Sequence, residues 1–217
     1  MTGGDELWQW FAEKAPEQRE VFDAAMKDLT EGVAMAALQD VDFSQTKCVC
    51  DIGGGVGTFA AAVMQHYPST KGKVLDLGES VGQEFVVRGL EGRSESITAS
   101  FFDPLPPSML ECDTYIMKQV LHNWSDAQAV SILQNVAASM QAGDRFVVVE
   151  FVLGTAGAGM ELAKARMDTT MLVYCPPGAR ERTLADFEQL FNASGLRLRE
   201  HVRLRALAHA LVAEKAT

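Results

Sequence analysis

The chain has 217 residues, of which 47% are hydrophobic and 22% charged, and its formal net charge is −10. This length predicts one domain of generous size, or one domain with a small appendage. The acidic balance makes nucleic acid an unfavourable partner, and no apolar run is long enough to predict a membrane span.

The N-terminus lacks a basic start followed by an apolar core, so we expect no signal peptide and a cytoplasmic location. The four cysteines are Cys48, Cys50, Cys112 and Cys175. Their spacing matches no metal motif, so we expect buried, reduced thiols and no metal site.

Strands and helices are predicted to alternate almost throughout the chain. Apolar residues at helical spacing predict two lead-in helices within residues 1–44, over 7–11 and 21–38, with Pro16 as a breaker between them. The main domain is predicted over 45–217. Its strands are predicted over 47–51, 73–77, 96–100, 113–118, 145–152, 196–202 and 206–213. Its helices are predicted over 59–67, 81–90, 125–141, 161–174 and 183–194. This order predicts an α/β fold with a mostly parallel seven-stranded sheet, helices on both faces and an antiparallel last strand.

A glycine-dense turn follows the first predicted strand. Gly53, Gly55 and Gly57 come in phase after Asp51. The dinucleotide fingerprint would place its third glycine where Thr58 stands, so an NAD(P)-dependent oxidoreductase is the less favoured interpretation. Another less favoured interpretation is a turn with a purely structural role. The pattern resembles motif I of S-adenosylmethionine methyltransferases, which implies S-adenosylmethionine as cofactor and S-adenosylhomocysteine as product.

An acidic residue, Asp76, closes the second predicted strand. It lies about where a doubly wound fold places the carboxylate that binds a ribose. The alternative is an ordinary strand-end or helix-capping aspartate.

Three later stretches narrow the interpretation. They are residues 116–126 (IMKQVLHNWSD), the strand end at Glu150, and residues 178–183 (GARERT). Together with the glycine turn they resemble the plant-type small-molecule O-methyltransferases, such as the caffeate, flavonoid and acetylserotonin enzymes. The resemblance runs from about Phe22 to the C-terminus. It implies a Rossmann-like class I methyltransferase fold and methyl transfer to a hydroxyl of a small aromatic acceptor.

The resemblance assigns the catalytic role to His122, flanked by Glu150 and Glu181. The acceptor hydroxyl must lose a proton during attack, and histidine titrates near the working pH. Each residue has an alternative interpretation. His122 could simply enter a helix, Glu150 could be a surface carboxylate, and Glu181 could pair with Arg180 or Arg182.

Further positions take their roles from the resemblance alone. It implies that the cofactor contacts, besides those of the glycine turn, are Asp76, Leu77, Ser100, Phe101 and Lys118. It implies that the acceptor contacts are Trp124, Met167, Asp168 and Met171. Methionines four residues apart are also common in plain helix cores.

The chain departs from the family pattern in several places. Ser100 stands where an acidic residue usually contacts adenine, and Asn123 stands where aspartate usually follows the base. Family members also carry an N-terminal, winged-helix-like dimerisation domain, whereas only residues 1–44 precede the main domain here. The alternative function is therefore a cofactor-binding module or pseudoenzyme. A homodimer and the acceptor atom (O, N, S or carboxylate) are left open.

Overall fold

The computed structural model describes residues 14–78, 80–155 and 158–216. The predicted helix over 7–11 lies outside these residues. Within them, no helix is long and apolar enough to cross a membrane.

A seven-stranded sheet forms the centre of the molecule, in the order β3-β2-β1-β4-β5-β9-β8. Its strands are β1 Cys48–Ile52, β2 Lys71–Asp76, β3 Ser94–Thr98, β4 Thr114–Lys118, β5 Arg145–Glu150, β8 Leu196–Arg203 and β9 His209–Lys215. β9 runs antiparallel to both of its neighbours, and the other pairs are parallel. The predicted sheet, including its antiparallel last strand, is confirmed.

Six α-helices are described. They are α1 Pro16–Asp40, α2 Thr58–His66, α3 Gln83–Val87, α4 Asp126–Ser139, α5 Ala158–Tyr174 and α6 Leu184–Ala193. Short 3₁₀ turns cover Glu91–Arg93, Pro107–Glu111 and Leu121–Asn123. Ser125 caps α4 through a capping box with Gln128, as its position in the sequence predicted.

The sheet separates two apolar cores because successive side chains of a strand point to opposite faces. One core holds Cys50 and Met117 with Ile132 of α4, and α6 covers the same face. The other core holds Val49 and Ile116 together with apolar residues of α1 and α2. Helices therefore cover both faces of the sheet, as predicted.

Several element boundaries differ from the predictions. α1 begins at Pro16 and not at residue 21, because proline fits the first helical turn, where its missing N–H has no partner to lose. Whether Pro16 separates this helix from the one predicted over 7–11 stays a prediction, since the earlier helix lies outside the described residues. The strand predicted over 145–152 stops at Glu150. After Phe151 the short strand β6 Val152–Leu153 pairs in parallel with β7 Arg182–Thr183, a second sheet that was not predicted.

Cys48 and Cys112 form a disulfide in the structure, with their Cα atoms 4.5 Å apart. Cys50 and Cys175 are free. The prediction of four reduced thiols is therefore wrong for Cys48 and Cys112. Parallel pairing of β1 with β4, with Val49 opposite Thr114, brings together two cysteines that are 64 residues apart in the chain. Sequence spacing does not show that proximity.

Candidate active site

A cavity of about 860 Å³ lies at the carboxyl ends of β1, β2 and β4. Parallel α/β sheets hold their ligands at this edge. Of the predicted site residues, the cavity is lined by Asp51, Gly53, Gly55, Asp76, Leu77, Ser100, Phe101, Lys118, His122, Trp124, Met167 and Met171. Most of the residues predicted to contact the cofactor or the acceptor therefore share one cavity.

The glycine turn brings bare backbone to the cavity wall. Gly53 has a φ of 70°, and a Cβ there would lie 2.8 Å from Val120 Cγ2. A Cβ on Gly54 would lie 2.5 Å from Asp51 Cγ. Side chains at these two positions would strain the backbone or displace the packed neighbours. Gly57, at the entry to α2, does not line the cavity.

Two aspartates hold the turn in place from either side. Asp51 is buried and accepts a hydrogen bond from Ala60 N at 3.3 Å, and desolvation raises its pKa to about 7. Asp76 accepts from Gly55 N at 2.7 Å and from Leu77 N at 2.6 Å. Desolvation also raises the pKa of Asp76, against the effect of these hydrogen bonds.

Lys118 ends β4 and lines the cavity beside the glycine turn. Its Nζ donates to Gln119 Oε1 at 2.9 Å. Desolvation lowers the pKa of Lys118, although the charges of Asp51 and Glu150 oppose the shift. Gln119 has a φ of 52°, and it is the only non-glycine residue in the described part of the chain with a positive φ. Backbone in this conformation occurs preferentially at functional sites.

His122 lies in the turn that follows β4, with its imidazole against two buried carboxylates. Its Nδ1 is 2.9 Å from Glu181 Oε1 and 3.8 Å from Glu150 Oε2. An ionised carboxylate only accepts hydrogen bonds, so in the neutral imidazole this contact places the proton on Nδ1 and leaves Nε2 unprotonated. No described residue forms a hydrogen bond with Nε2, and His122 lines the cavity.

Burial lowers the pKa of His122, but the Glu150 charge and the Glu181 hydrogen bond raise it more, so the net pKa lies above its ordinary value. Burial raises the pKa of Glu150. Glu150 Oε2 and Glu181 Oε2 are buried and have no hydrogen-bond partner among the described residues. Ligand atoms of the three residues lie within 4.8 Å of one another, a spacing that would also suit a divalent cation. That the site needs no metal stays a prediction.

The turn that carries His122 is held at both ends of its backbone. Glu150 Oε1 accepts from Val120 N at 3.0 Å and from Leu121 N at 2.9 Å. On the other side, the fully buried Arg182 donates to Leu121 O and Trp124 O, each at 2.7 Å. The structure therefore places Arg182 under the turn and not on the surface beside Glu181.

Asp168 does not line the cavity. Its Oδ1 accepts from Glu181 N at 2.8 Å, so this carboxylate fixes the backbone of a glutamate that faces His122. Met167 and Met171, one helical turn apart on α5, do face the cavity. Asp168 is one residue further along and points about 100° around the helix.

Several cavity residues were missed by the sequence reasoning. One face of α1 contributes Arg19, Phe22, Asp23, Met26, Lys27, Leu29 and Thr30. Thr58, noted in the sequence only because it is not glycine, lines the cavity with a buried Oγ1 that has no partner among the described residues. Asn123, Thr170 and Cys175 line the acceptor side. These α1 residues recur every three or four positions, which places them on one helix face. Because that face contains both charged and apolar side chains, its hydrophobic periodicity in the sequence is weak.

A sheet of this order, with a glycine turn after its first strand and a cavity across its carboxyl edge, defines the class I methyltransferase fold. The family model described as the O-methyltransferase domain matches residues 2–197. The chain therefore belongs to this family of O-methyltransferase domains, which confirms the resemblance seen in the sequence.

Individual relatives agree with this assignment. The mitomycin biosynthesis 6-O-methyltransferase of Streptomyces lavendulae is 33% identical over 203 residues, which cover 91% of this chain and 55% of that relative. The solved structure of LaPhzM matches with a TM-score of 0.88 at 30% identity, over 96% of this chain and 61% of that one. The O-methyltransferase NcsB1 from neocarzinostatin biosynthesis, solved with S-adenosyl-L-homocysteine and 1,4-dihydroxy-2-naphthoic acid, matches with a TM-score of 0.80 at 30% identity, over 97% of this chain and 61% of that one. The chain spans about half the length of the curated relatives it matches.

Proposed function

We propose that the chain transfers a methyl group from S-adenosylmethionine to a hydroxyl of a small aromatic acceptor, with His122 as general base. One observation carries the proposal. His122 lines the same cavity as the glycine turn, and its Nδ1 is held 2.9 Å from Glu181 Oε1. A base next to a cofactor-sized cavity, oriented by a buried carboxylate, suits proton removal from an acceptor bound beside the cofactor.

The cavity residues fit S-adenosylmethionine. The bare backbone of the glycine turn admits a ligand close to β1, and Thr58 Oγ1 is a buried hydroxyl for which the described part of the chain supplies no partner. We assign the ribose hydroxyls to Asp76, the cofactor carboxylate to Lys118 and the adenine ring to Phe101. When bound, S-adenosylmethionine supplies a methyl group that its sulfonium has already activated. NcsB1, a structural relative, was solved with the product S-adenosyl-L-homocysteine.

The protein residues in turn manage the proton. His122 donates a hydrogen bond from Nδ1 to Glu181 Oε1 and keeps that proton, while its Nε2 accepts the proton of the acceptor hydroxyl. The imidazolium that results is stabilised by the two buried carboxylates, Glu150 and Glu181. General base catalysis of this kind contributes about 10²–10⁴-fold to the rate.

The acceptor end of the cavity suits a flat apolar molecule. Trp124 and Met171 are buried there, and Met167 and Pro176 complete the lining. Aromatic and thioether side chains pack favourably on aromatic rings. A naphthoic acid bound to NcsB1 and the names of the other relatives support an aromatic acceptor. We place the cofactor-binding domain at residues 45–217, with α1 of the lead-in segment adding to its cavity.

The test is a His122→Ala variant assayed for methyl transfer to hydroxynaphthoic acids and other phenols. We expect a loss of about 10²–10⁴-fold in kcat with little change in the Kd of S-adenosylhomocysteine, because the base is removed and the cofactor contacts remain. His66→Ala, a change at an exposed histidine of α2 outside the cavity, is the control and should keep full activity. Undiminished transfer by His122→Ala would contradict the role of His122.

The same experiments separate two alternatives. A wild-type chain that binds S-adenosylhomocysteine but methylates no member of a broad phenol panel would favour a cofactor-binding module. Thermal stabilisation by NAD and not by S-adenosylhomocysteine would favour an oxidoreductase.

A further inference from the structure

Asn123 is the residue after the base, and it lines the cavity on the acceptor side. Its side-chain Oδ1 accepts a hydrogen bond from the Cys175 thiol, with Sγ and Oδ1 3.3 Å apart. Cys175 follows α5, and its own backbone N–H is bonded to Met171 O at 3.0 Å, so the thiol is held in place. The thiol contacts Met171 Sδ more weakly, at 3.7 Å.

The thiol keeps its proton at working pH. Burial, together with the Glu181 charge, raises the pKa of Cys175. A protonated thiol is a hydrogen-bond donor, so it engages the carbonyl oxygen of the amide and leaves the amino group facing elsewhere. Among the described residues, none accepts a hydrogen bond from Asn123 Nδ2. The pair therefore presents two N–H donors, without a formal charge, next to His122.

The other side chains at this end of the cavity offer little polar recognition. Met167, Met171 and Pro176 are apolar, and Trp124 has a single polar group, its indole N–H. Thr170 lines the cavity, but its hydroxyl already donates to Arg166 O at 3.1 Å. Since His122 and Asn123 line the same cavity, we place the ring substituent next to the reacting hydroxyl at the Asn123 amide.

We propose that Asn123, oriented by Cys175, selects acceptors with a hydrogen-bond-accepting oxygen on the ring carbon next to the hydroxyl that is methylated. Suitable oxygens belong to methoxy, carbonyl or carboxylate groups. Aspartate, the usual residue of the family at this position, can only accept hydrogen bonds when ionised and would favour a neighbouring hydroxyl donor. Asparagine therefore inverts the polarity of this subsite. This inference rests on the proposed function.

The test compares two acceptors of matched shape, 3-methoxy-2-naphthol and 3-ethyl-2-naphthol, which differ by an oxygen in place of a methylene group. We measure the Kd of each by calorimetry with S-adenosylhomocysteine bound, and kcat/KM with S-adenosylmethionine. The wild type should prefer the methoxy compound by about tenfold, the size expected for one hydrogen bond.

Substitutions should change that ratio in defined ways. Asn123→Leu should bring it close to one, and Asn123→Asp should favour 2,3-dihydroxynaphthalene over the methoxy compound. Cys175→Ala should lower the ratio, because the amide is then free to turn. Asn192→Leu, at an exposed position on α6 outside the cavity, should keep the wild-type ratio.

The possible failures are distinguishable. Equal affinity of the wild type for the two naphthols overturns the inference, as does an unchanged ratio in Asn123→Leu or failure of both naphthols to bind. Preferential binding of the methoxy compound without any methyl transfer supports the subsite and counts against the proposed function.

Discussion

Replacement of Arg182 by methionine removes the donors that hold the turn around His122. The guanidinium is fully buried, and its Nη1 and Nη2 donate at 2.7 Å to Leu121 O and Trp124 O. It also contacts Asp126 Oδ1 through Nε at 3.0 Å and Nη2 at 2.8 Å. Methionine fills similar space without any donor, so Trp124 O would lose its donor among the described residues, whereas Leu121 O would keep the one from Trp124 N at 3.2 Å.

The magnitude follows from these contacts. The orphaned Trp124 O costs about 1–3 kcal/mol, and the loss of one of the two hydrogen bonds to Leu121 O costs about 0.5–1.5 kcal/mol. The side chain of Asp126 is 55% exposed, so water replaces most of what it loses. The variant no longer has the desolvation cost of burying a guanidinium, which offsets part of the total. We expect a net loss of about 2 kcal/mol in the free energy of unfolding, or about 4–8 °C in Tm.

Urea and thermal denaturation, followed by circular dichroism, measure this loss. Arg182→Lys should show an intermediate loss, because an ammonium reaches fewer of these acceptors than a guanidinium does. Arg182→Lys should also lower kcat more than it raises the Kd of S-adenosylhomocysteine. The reason is that it disturbs the turn around His122, the proposed base, and leaves the glycine turn unchanged. The control is Arg199→Met, whose side chain is 56% exposed and should lose less than about 0.5 kcal/mol. A Tm for Arg182→Met equal to that of the control would refute the reasoning.

Two further predictions test the electrostatics and the packing of the site. Glu181→Gln removes a charge that raises the pKa of His122, so the acidic limb of the pH–rate profile should move to lower pH while the plateau falls by about ten- to a hundredfold. A limb that stays in place or moves upward would exclude this role of Glu181. Gly54→Ala should lower the free energy of unfolding by about 1–3 kcal/mol, because its Cβ would lie 2.5 Å from Asp51 Cγ. Gly32→Ala has open space inside α1 and should raise that free energy by about 0.5–1 kcal/mol, so a change of the same sign in both variants would contradict the packing argument.

The sheet and the glycine turn were predictable because their signals are local. Alternating strands and helices determine a parallel sheet, and the phase of the glycines after Asp51 places the turn at its carboxyl edge. Positive φ values at Gly53, Gly55 and Gly57 agree with that phase. Errors occurred at element ends, where a shift of one or two residues has little energetic cost.

The proposed catalytic group was predicted from the family resemblance and not from local chemistry. Glu150 and Glu181 lie 30 and 59 residues from the positions they contact around His122. Pairing of β4 with β5 brings Glu150 to the turn, and the unpredicted pairing of β6 with β7 brings Glu181 there. Neither contact has a sequence signal apart from the residue types themselves.

Residues of α1 and Asp168 were misjudged because a helix turns each side chain by about 100° relative to the one before. Met167 and Met171 share the face that meets the cavity, and Asp168 points towards Glu181 N instead. On α1 the cavity face mixes charged and apolar residues such as Asp23 and Met26, so hydrophobic periodicity could not reveal it. Polarity shows which face of a helix is buried only when the buried partner is apolar.

The placement of His122 depends on two buried charges of opposite sign that hold the same backbone. Glu150 accepts from the N–H groups at the start of the turn, and Arg182 donates to the carbonyl groups that flank the base. The positive charge of Arg182 lowers the pKa of Glu150 and so opposes the effect of burial. Each charge thus makes burial of the other less costly, and both require the turn to be folded as it is. The residues that stabilise this turn are also those that orient His122, the proposed base. Substitutions here should therefore affect stability and catalysis together, whereas substitutions around the proposed Asn123 subsite should change acceptor choice alone.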